Sequence, residues 1–222
     1  MTSDDNQPGT TDTRSRFVRA WKRFAQETSG TVAPEATYQA WFAHFLIEEF
    51  GLLRVVREVD FGARHLHPDD QRTFDGNNLR LDICILRSSE DVYLPHRSAL
   101  GDPATSEGYA AHSGLGRLKD LAVISELKIG SSVTGGLPYA QINRDARKMQ
   151  ALMAAAREHP LGKGHPMPMA FMCVLDNHRT WRLNRQILNR YQQRYSTTDG
   201  IEWLIAPTNQ RRRGKQHVLP EH

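Results

Sequence analysis

Three charged residues stand in strand-like apolar runs of this 222-residue chain. In LRLDICILR, Asp82 lies among Leu79, Leu81, Ile83 and Ile85, and the two-residue period of a strand sends it to the face opposite those four. In LAVISELKI (121–129) the same period puts Glu126 and Lys128 on one face with Ala122 and Ile124, and turns Leu121, Val123, Leu127 and Ile129 to the other. A buried charge without a partner costs several kcal/mol, so such strands carry these groups only if a metal, water or one another satisfies them. Two carboxylates and an ammonium at strand ends supply hard oxygen ligands for Mg²⁺ and a cation to orient an attacking water, which is phosphodiester chemistry.

The elements around these residues follow from periodicity and turn chemistry. FVRAWKRFAQE (from Arg16 to Thr28) has helical spacing at Phe17, Ala20, Trp21 and Phe24. A stronger helix follows in PEATYQAWFAHFLIEEFG, with Pro34 in its first turn, Glu35 where the helix dipole favours an anion, and Gly51 as its stop. LLRVVREVDF reads as a strand that can pair antiparallel with LRLDICILR through the turn-rich segment 62–78. After LAVISELKI and a flexible connector come a helix (139–159, with Ile142, Ala146, Met149, Leu152 and Met153 on one face), the apolar strand PMAFMCVLD (168–176), a helix from Trp181 to Tyr195, and a last strand, IEWLIAP. The order α, α, β, β, β, α, β, α, β describes an α/β fold, a mixed sheet with helices on both faces.

With Asp82 on one strand and Glu126-Leu127-Lys128 on the next, the chain resembles the PD-(D/E)XK nuclease superfamily. The core order of that superfamily, αβββαβ, is matched from Pro34 to Asp176. Leu81 stands where the motif's name puts proline, a substitution the superfamily tolerates; 43 residues separate Asp82 from Glu126, a longer gap than in minimal members. Asp91, Asp102 and Asp120 are alternative aspartates, but only Asp82 lies mid-strand in an apolar run. The resemblance implies a restriction-endonuclease-like fold and a Mg²⁺-dependent endodeoxyribonuclease in which Mn²⁺ substitutes. It implies Asp82 and Glu126 as metal ligands together with the Leu127 carbonyl and Glu35, and Lys128 beside the scissile phosphate, with 5′-phosphate and 3′-hydroxyl products. Polar residues on the helix after the third strand often face such a site, which makes Gln141, Asp145 and Lys148 candidates for site support.

Each sharp reading has a plain counterpart. Glu-x-Lys is common, and on an exposed strand it is a solvated pair; Glu35 can serve the helix dipole alone. The cluster His65, His67, Asp69 and Asp70 has metal-ligating types, yet its glycine- and proline-bounded segment reads as a solvated loop. From a different class comes the alternative of a non-catalytic nucleic-acid-binding or assembly subunit that keeps the fold, and a third reading is a metal-dependent enzyme acting on another phosphoester.

Organisation and charge complete the expectations. Residues 1–15 read as a disordered polar tail, 16–207 as one domain interrupted by a long loop at 88–119, and 208–222 as a basic tail in which Arg211, Arg212, Arg213 and Lys215 can meet phosphates. The formal charge is +4 and most of the cations are arginine, the residue that grips phosphate bidentately. That balance hints at nucleic acid, and the resemblance makes DNA the expected partner, with RNA and a homodimer left open. No apolar run approaches the roughly 20 residues that span a bilayer, so no membrane partner is expected. Cys84 and Cys173, the two cysteines, each lie in an apolar run and suit reduced, buried thiols. With no secretory leader in the first residues, the expected compartment is the cytoplasm.

Overall fold

Helix α1 (Thr10–Glu27) begins ahead of the predicted Arg16, and the predicted tail is shortened accordingly. Asp12 lies in its first turn, where the dipole favours an anion, and pairs with Arg16 at 3.6 Å; Thr13 is buried, and Arg14 forks onto Glu202 at 2.6 and 2.8 Å. These contacts bind the first turns to the far end of the chain, so the helix has reason to extend. The computed structural model describes residues 10–61, 66–74, 79–89, 115–130, 136–158, 166–178 and 183–207. Segment 90–114 of the predicted loop, with Asp91 and Asp102, and the tail cations Arg211, Arg212, Arg213 and Lys215 lie outside the described residues.

Helix α2 (Glu35–Phe50) ends at Gly51, whose φ of 85° suits a residue without a Cβ and whose N–H donates to the Ile47 carbonyl. A short 3₁₀ turn (Leu52–Arg54) precedes β1 (Val55–Phe61). The segment expected to be a plain loop holds a short helix, α3 (Pro68–Thr73), started by Pro68 and capped by the His67 ring, which accepts from the Asp69 N–H. Strands β2 (Leu79–Leu86) and β3 (Leu121–Gly130) follow, then α4 (Tyr139–Glu158), β4 (Met169–Asp176), α5 (Arg185–Asp199) and β5 (Ile201–Pro207). Helix α5 starts later than the predicted Trp181, because the Asn184 side chain caps it by accepting from Ile187 N–H. The end of the predicted loop 88–119 is a 3₁₀ turn (Leu115–Asp120), tied down by Arg87, which donates to the Asp120, Lys119 and Pro166 carbonyls.

The five strands lie in the order β1-β2-β3-β4-β5, antiparallel through β3 and parallel from β3 to β5. The fold is thus α/β with a mixed sheet flanked by helices, as its sequence pattern leads one to expect. One face packs on α1 and α2 through an aromatic core of Phe17, Trp21, Phe24, Tyr38 and Phe42 with Phe171 of β4. The other packs on α4 and α5 through Ile142, Met149, Leu152, Leu188 and Tyr195. Cys84 and Cys173 are free, buried thiols on opposite faces. Among the described residues no helix is long and apolar enough to cross a membrane.

The expected alternation fails at two places, each with a visible cause. In β2, Ile83 and Ile85 join the α1/α2 core, whereas Leu79 and Leu81 join the α4/α5 core with Cys84 and Leu86. Asp82 is therefore not opposite all four neighbours. The ladder to β1 is broken between the pairs Arg57↔Ile83 and Val59↔Leu81, where Glu58 adopts a positive φ of 53°. Val56 and Val59 accordingly face the same core despite their odd spacing. In β3, Val123, Leu127 and Ile129 face α1/α2 and Ile124 the other side, as expected; Leu121 and Ala122 are exchanged, because the register with β2 shifts between Ile85 and Leu86.

Candidate active site

Beyond Ile83 and Ser125 the pairing of β2 with β3 stops, and Asp82 stands at the parting. Its carboxylate takes the place of a ladder partner. Oδ2 accepts from the Leu127 N–H at 2.8 Å and Oδ1 from the Gln39 side-chain amide at 3.0 Å. Since the N–H and C=O of a strand residue point to the same neighbour, the Leu127 carbonyl is directed toward that same gap. Gln39 is buried on α2, one turn after Glu35, and its carbonyl accepts from Arg57 Nη2 at 3.4 Å.

Past the parting lies a cleft of about 360 Å³ lined by Phe74, Leu79, Arg80, Asp82, Glu126, Lys128, Gln141, Arg144, Asp145 and Lys148. Strand β3 supplies Glu126 and Lys128 from its cleft-facing side, and both are buried. Helix α4 supplies Asp145 and Lys148, three apart and so neighbours on the helix surface. Lys128 Nζ stands amid four carboxylates: Asp145 at 3.0 Å, Glu35 at 3.4 Å, Asp82 at 3.8 Å and Glu126 at 3.9 Å. Lys148 Nζ is 2.6 Å from Glu126 Oε1 and 3.1 Å from Asp145 Oδ1, and it donates to the Arg80 carbonyl at 2.6 Å. The Glu126 contact is an ion pair without hydrogen-bond alignment, and Glu126 Oε1 has no aligned donor.

Burial and neighbouring charges compete in setting the proton affinities here. Burial pushes the Glu126 carboxyl well above the usual carboxylate range, against the pull of Lys148, and the Asp82 and Asp145 charges add to the rise. Burial also works to lower Lys128, but Asp145, Asp82, Glu126 and Glu35 outweigh it and hold the ammonium above the ordinary lysine range. Lys148 is raised likewise: burial opposes, and Glu126 and Asp145 prevail. The two thiols are pushed up by burial, which makes them poor nucleophiles.

The structure thus brings Asp82, Glu126, Lys128, Glu35, Asp145 and Lys148 together, while Gln141 lines the cleft from its exposed side. Asp120, an alternative aspartate, ends the 3₁₀ turn ahead of β3, where its backbone carbonyl accepts from the Arg87 N–H, and it does not line the cleft. Of the His/Asp cluster, His65 lies outside the described residues; the His67 ring caps α3, Asp69 pairs with Arg72 and Asp70 reaches Arg147 at 3.4 Å, and none of these three lines the cleft. Gln39, Arg57, Arg80 and Arg144 were not anticipated. Gln39 carried a signal, because four residues after Glu35 it falls on the same helix face; Arg57 carried none.

A larger cavity, about 610 Å³, lies between α1 and β5 and is lined by Trp21, Ala25, Trp203 and Leu204 among others. Among the described residues Lys22 is the one charged side chain on its wall, and no acid–base constellation is seen there. The smaller cleft holds the clustered acids and lysines.

Whether the cleft suits a divalent cation can be judged from its donors. Four carboxylates face two ammoniums within 4 Å, an excess of two negative charges when all are ionised, and one buried carboxylate oxygen lacks an aligned donor. That donor set fits Mg²⁺ or Mn²⁺. The present arrangement is closed, however. Among the described residues no three His, Cys, Asp or Glu side chains are grouped to hold an ion, and the two lysines stand between the acids. No protein-family model, curated protein or solved structure matches the chain.

Proposed function

We propose that the chain is a divalent-metal-dependent nuclease of restriction-endonuclease-like fold, acting on phosphodiester bonds and on DNA in the first instance. The observation that carries this reading is the convergence of Asp82, Glu126 and Lys128 on one cleft at the point where β2 and β3 part. The order of α2, β1, β2, β3, α4 and β4 supports the fold assignment. Asp82, Glu126, the Leu127 carbonyl and Glu35 would hold the ion, which supplies Lewis acidity toward the phosphoryl oxygens and a more acidic water. Lys128 places a positive charge where the phosphorane-like transition state gathers negative charge. Gln39 and the Leu127 N–H fix the Asp82 carboxylate, so that the acid need not reorganise on binding. The proposed setting is cytoplasmic; RNA is the alternative substrate to DNA, and a homodimer would be a form able to cut both strands.

The deciding experiment is plasmid nicking by purified protein in Mg²⁺ or Mn²⁺, with chelator as control. Asp82→Ala, Glu126→Ala and Lys128→Ala should each lose at least about two orders of magnitude in rate. Unaltered cleavage by Glu126→Ala, free of contaminating nuclease, would overturn the site. One observation favours a second reading, the non-catalytic nucleic-acid-binding subunit: the lysines already neutralise much of the acid cluster. A chain that binds DNA equally with and without metal and never nicks it would be of that kind.

A further inference from the structure

The two ammoniums of the cleft are held differently. Lys128 is shared among four acids, the nearest 3.0 Å away. Lys148 is seated in a tighter set of three oxygens: Glu126 Oε1 and the Arg80 carbonyl at 2.6 Å, and Asp145 Oδ1 at 3.1 Å. Two carboxylate oxygens and a backbone carbonyl form the kind of donor set that a hard divalent cation selects. The occupant meets Glu126 Oε1 at ion-pair distance, 2.6 Å, outside ordinary hydrogen-bond alignment. Glu126 is 1% exposed, so its carboxylate depends on the cleft's own cations for compensation.

We propose that Glu126 Oε1, Asp145 Oδ1 and the Arg80 carbonyl form a second cation position, apart from the one Asp82 serves, and that the Lys148 ammonium is its resident occupant, which a divalent ion must displace. The inference rests on the reading that this cleft takes a divalent cation. Lysine suits the part, since its charge sits on a four-carbon stem with several rotatable bonds and can withdraw without moving the helix. Glu126 then faces both positions, with Oε2 toward Lys128 and Oε1 toward Lys148. Divalent affinity is set by competition with an internal charge, and Asp145 becomes a ligand of the second position.

Calorimetric titration of the full chain with Mn²⁺ alone tests this. Lys148→Gln removes the charge but keeps a donor for the Arg80 carbonyl, and it should bind Mn²⁺ at least about tenfold more tightly than the parent, the scale expected from deleting one positive charge at contact distance. Lys148→Arg keeps the charge and should bind no more tightly than the parent. Adding Asp145→Asn to Lys148→Gln should abolish the gain. If Lys148→Gln fails to fold without metal, Mn²⁺ should restore its circular dichroism, and failure to do so counts against the proposal. Parent binding with equal or weaker binding by Lys148→Gln would overturn the competition and leave the metal reading intact. Binding by neither protein would overturn both.

Discussion

The two faces of β3 are in different surroundings although all ten residues of the strand are buried. Toward α1 and α2, Val123, Leu127 and Ile129 meet rings: Phe17 stacks on Phe171 with centroids 4.3 Å apart, and Phe42 lies edge-on to Phe17 and to Trp21, each at 5.6 Å. On the cleft side, Glu126 and Lys128 meet three more acids, Asp82, Glu35 and Asp145, and a second lysine. The first face gains free energy from every atom it removes from water, and dense packing leaves it one arrangement. The second holds charges that cost free energy to bury and that balance only incompletely. A single strand therefore carries two opposed contributions, one face stabilising the sheet and the other holding charge out of water at a cost.

Substitutions that act on one face alone sharpen this contrast. The largest stability effect belongs to the aromatic face: Phe42→Ala should cost about 3–5 kcal/mol in denaturant unfolding, through lost burial and the cavity left behind. A cost below about 1 kcal/mol would mean that α1 and α2 are loosely docked, and the contrast would fail.

Next comes Asp82→Asn. Mutual repulsion of acids alone would make this change stabilising. Here Asp82 accepts from both the Leu127 N–H and the Gln39 amide, so an asparagine NH₂ must face a donor at one of them. The expected cost is about 1–3 kcal/mol without metal. A variant as stable as the parent would show that Gln39 turns its amide over and that the hydrogen bonds to Asp82 are dispensable.

The effect that vanishes at the acid end, and the most diagnostic, is that of Glu126→Gln. Burial raises the folded carboxyl's proton affinity, so the folded chain binds more protons here than the unfolded one above the ordinary glutamate value of about 4.3. Stability from this group must then fall as pH rises from there through the raised folded value. The parent and Glu126→Gln should coincide at the acid end and separate on raising the pH, with the glutamine variant the more stable, by roughly 1.4 kcal/mol for each pH unit crossed. Parallel curves, followed by chemical unfolding in metal-free buffer, would exclude Glu126 as the strained group.

How far the sequence foretold this arrangement depends on what each residue advertises. Glu126 and Lys128 were legible because a charge inside an unbroken apolar run is rare enough to demand a reason. Strand and helix order followed from periodicity, and Gly51 from its position after an apolar stripe. Asp145 and Lys148 were only half legible, since a polar helix face does not reveal whether it meets water or a cleft. The break in alternation at Asp82 was not legible at all. It depends on Glu58, a residue with no special preference for the positive φ it adopts, and on a partner strand's geometry. The early start of α1 was hidden for a similar reason, because Glu202, which receives Arg14, lies 188 residues away.

Separation along the chain has one more consequence, at the end of β4. The Asn177 side chain accepts from the Gly30 N–H and donates to the Thr28 and Thr31 carbonyls and to the Tyr38 hydroxyl, fastening the α1–α2 junction just ahead of Glu35. These partners lie 139 to 149 residues upstream. At the usual pace of synthesis, about 5–20 residues per second, the ribosome adds Asn177 roughly 7–30 s after them. Until then the nascent helices can form but their junction has no clasp, so the Glu35 end of the cleft is completed late in biogenesis.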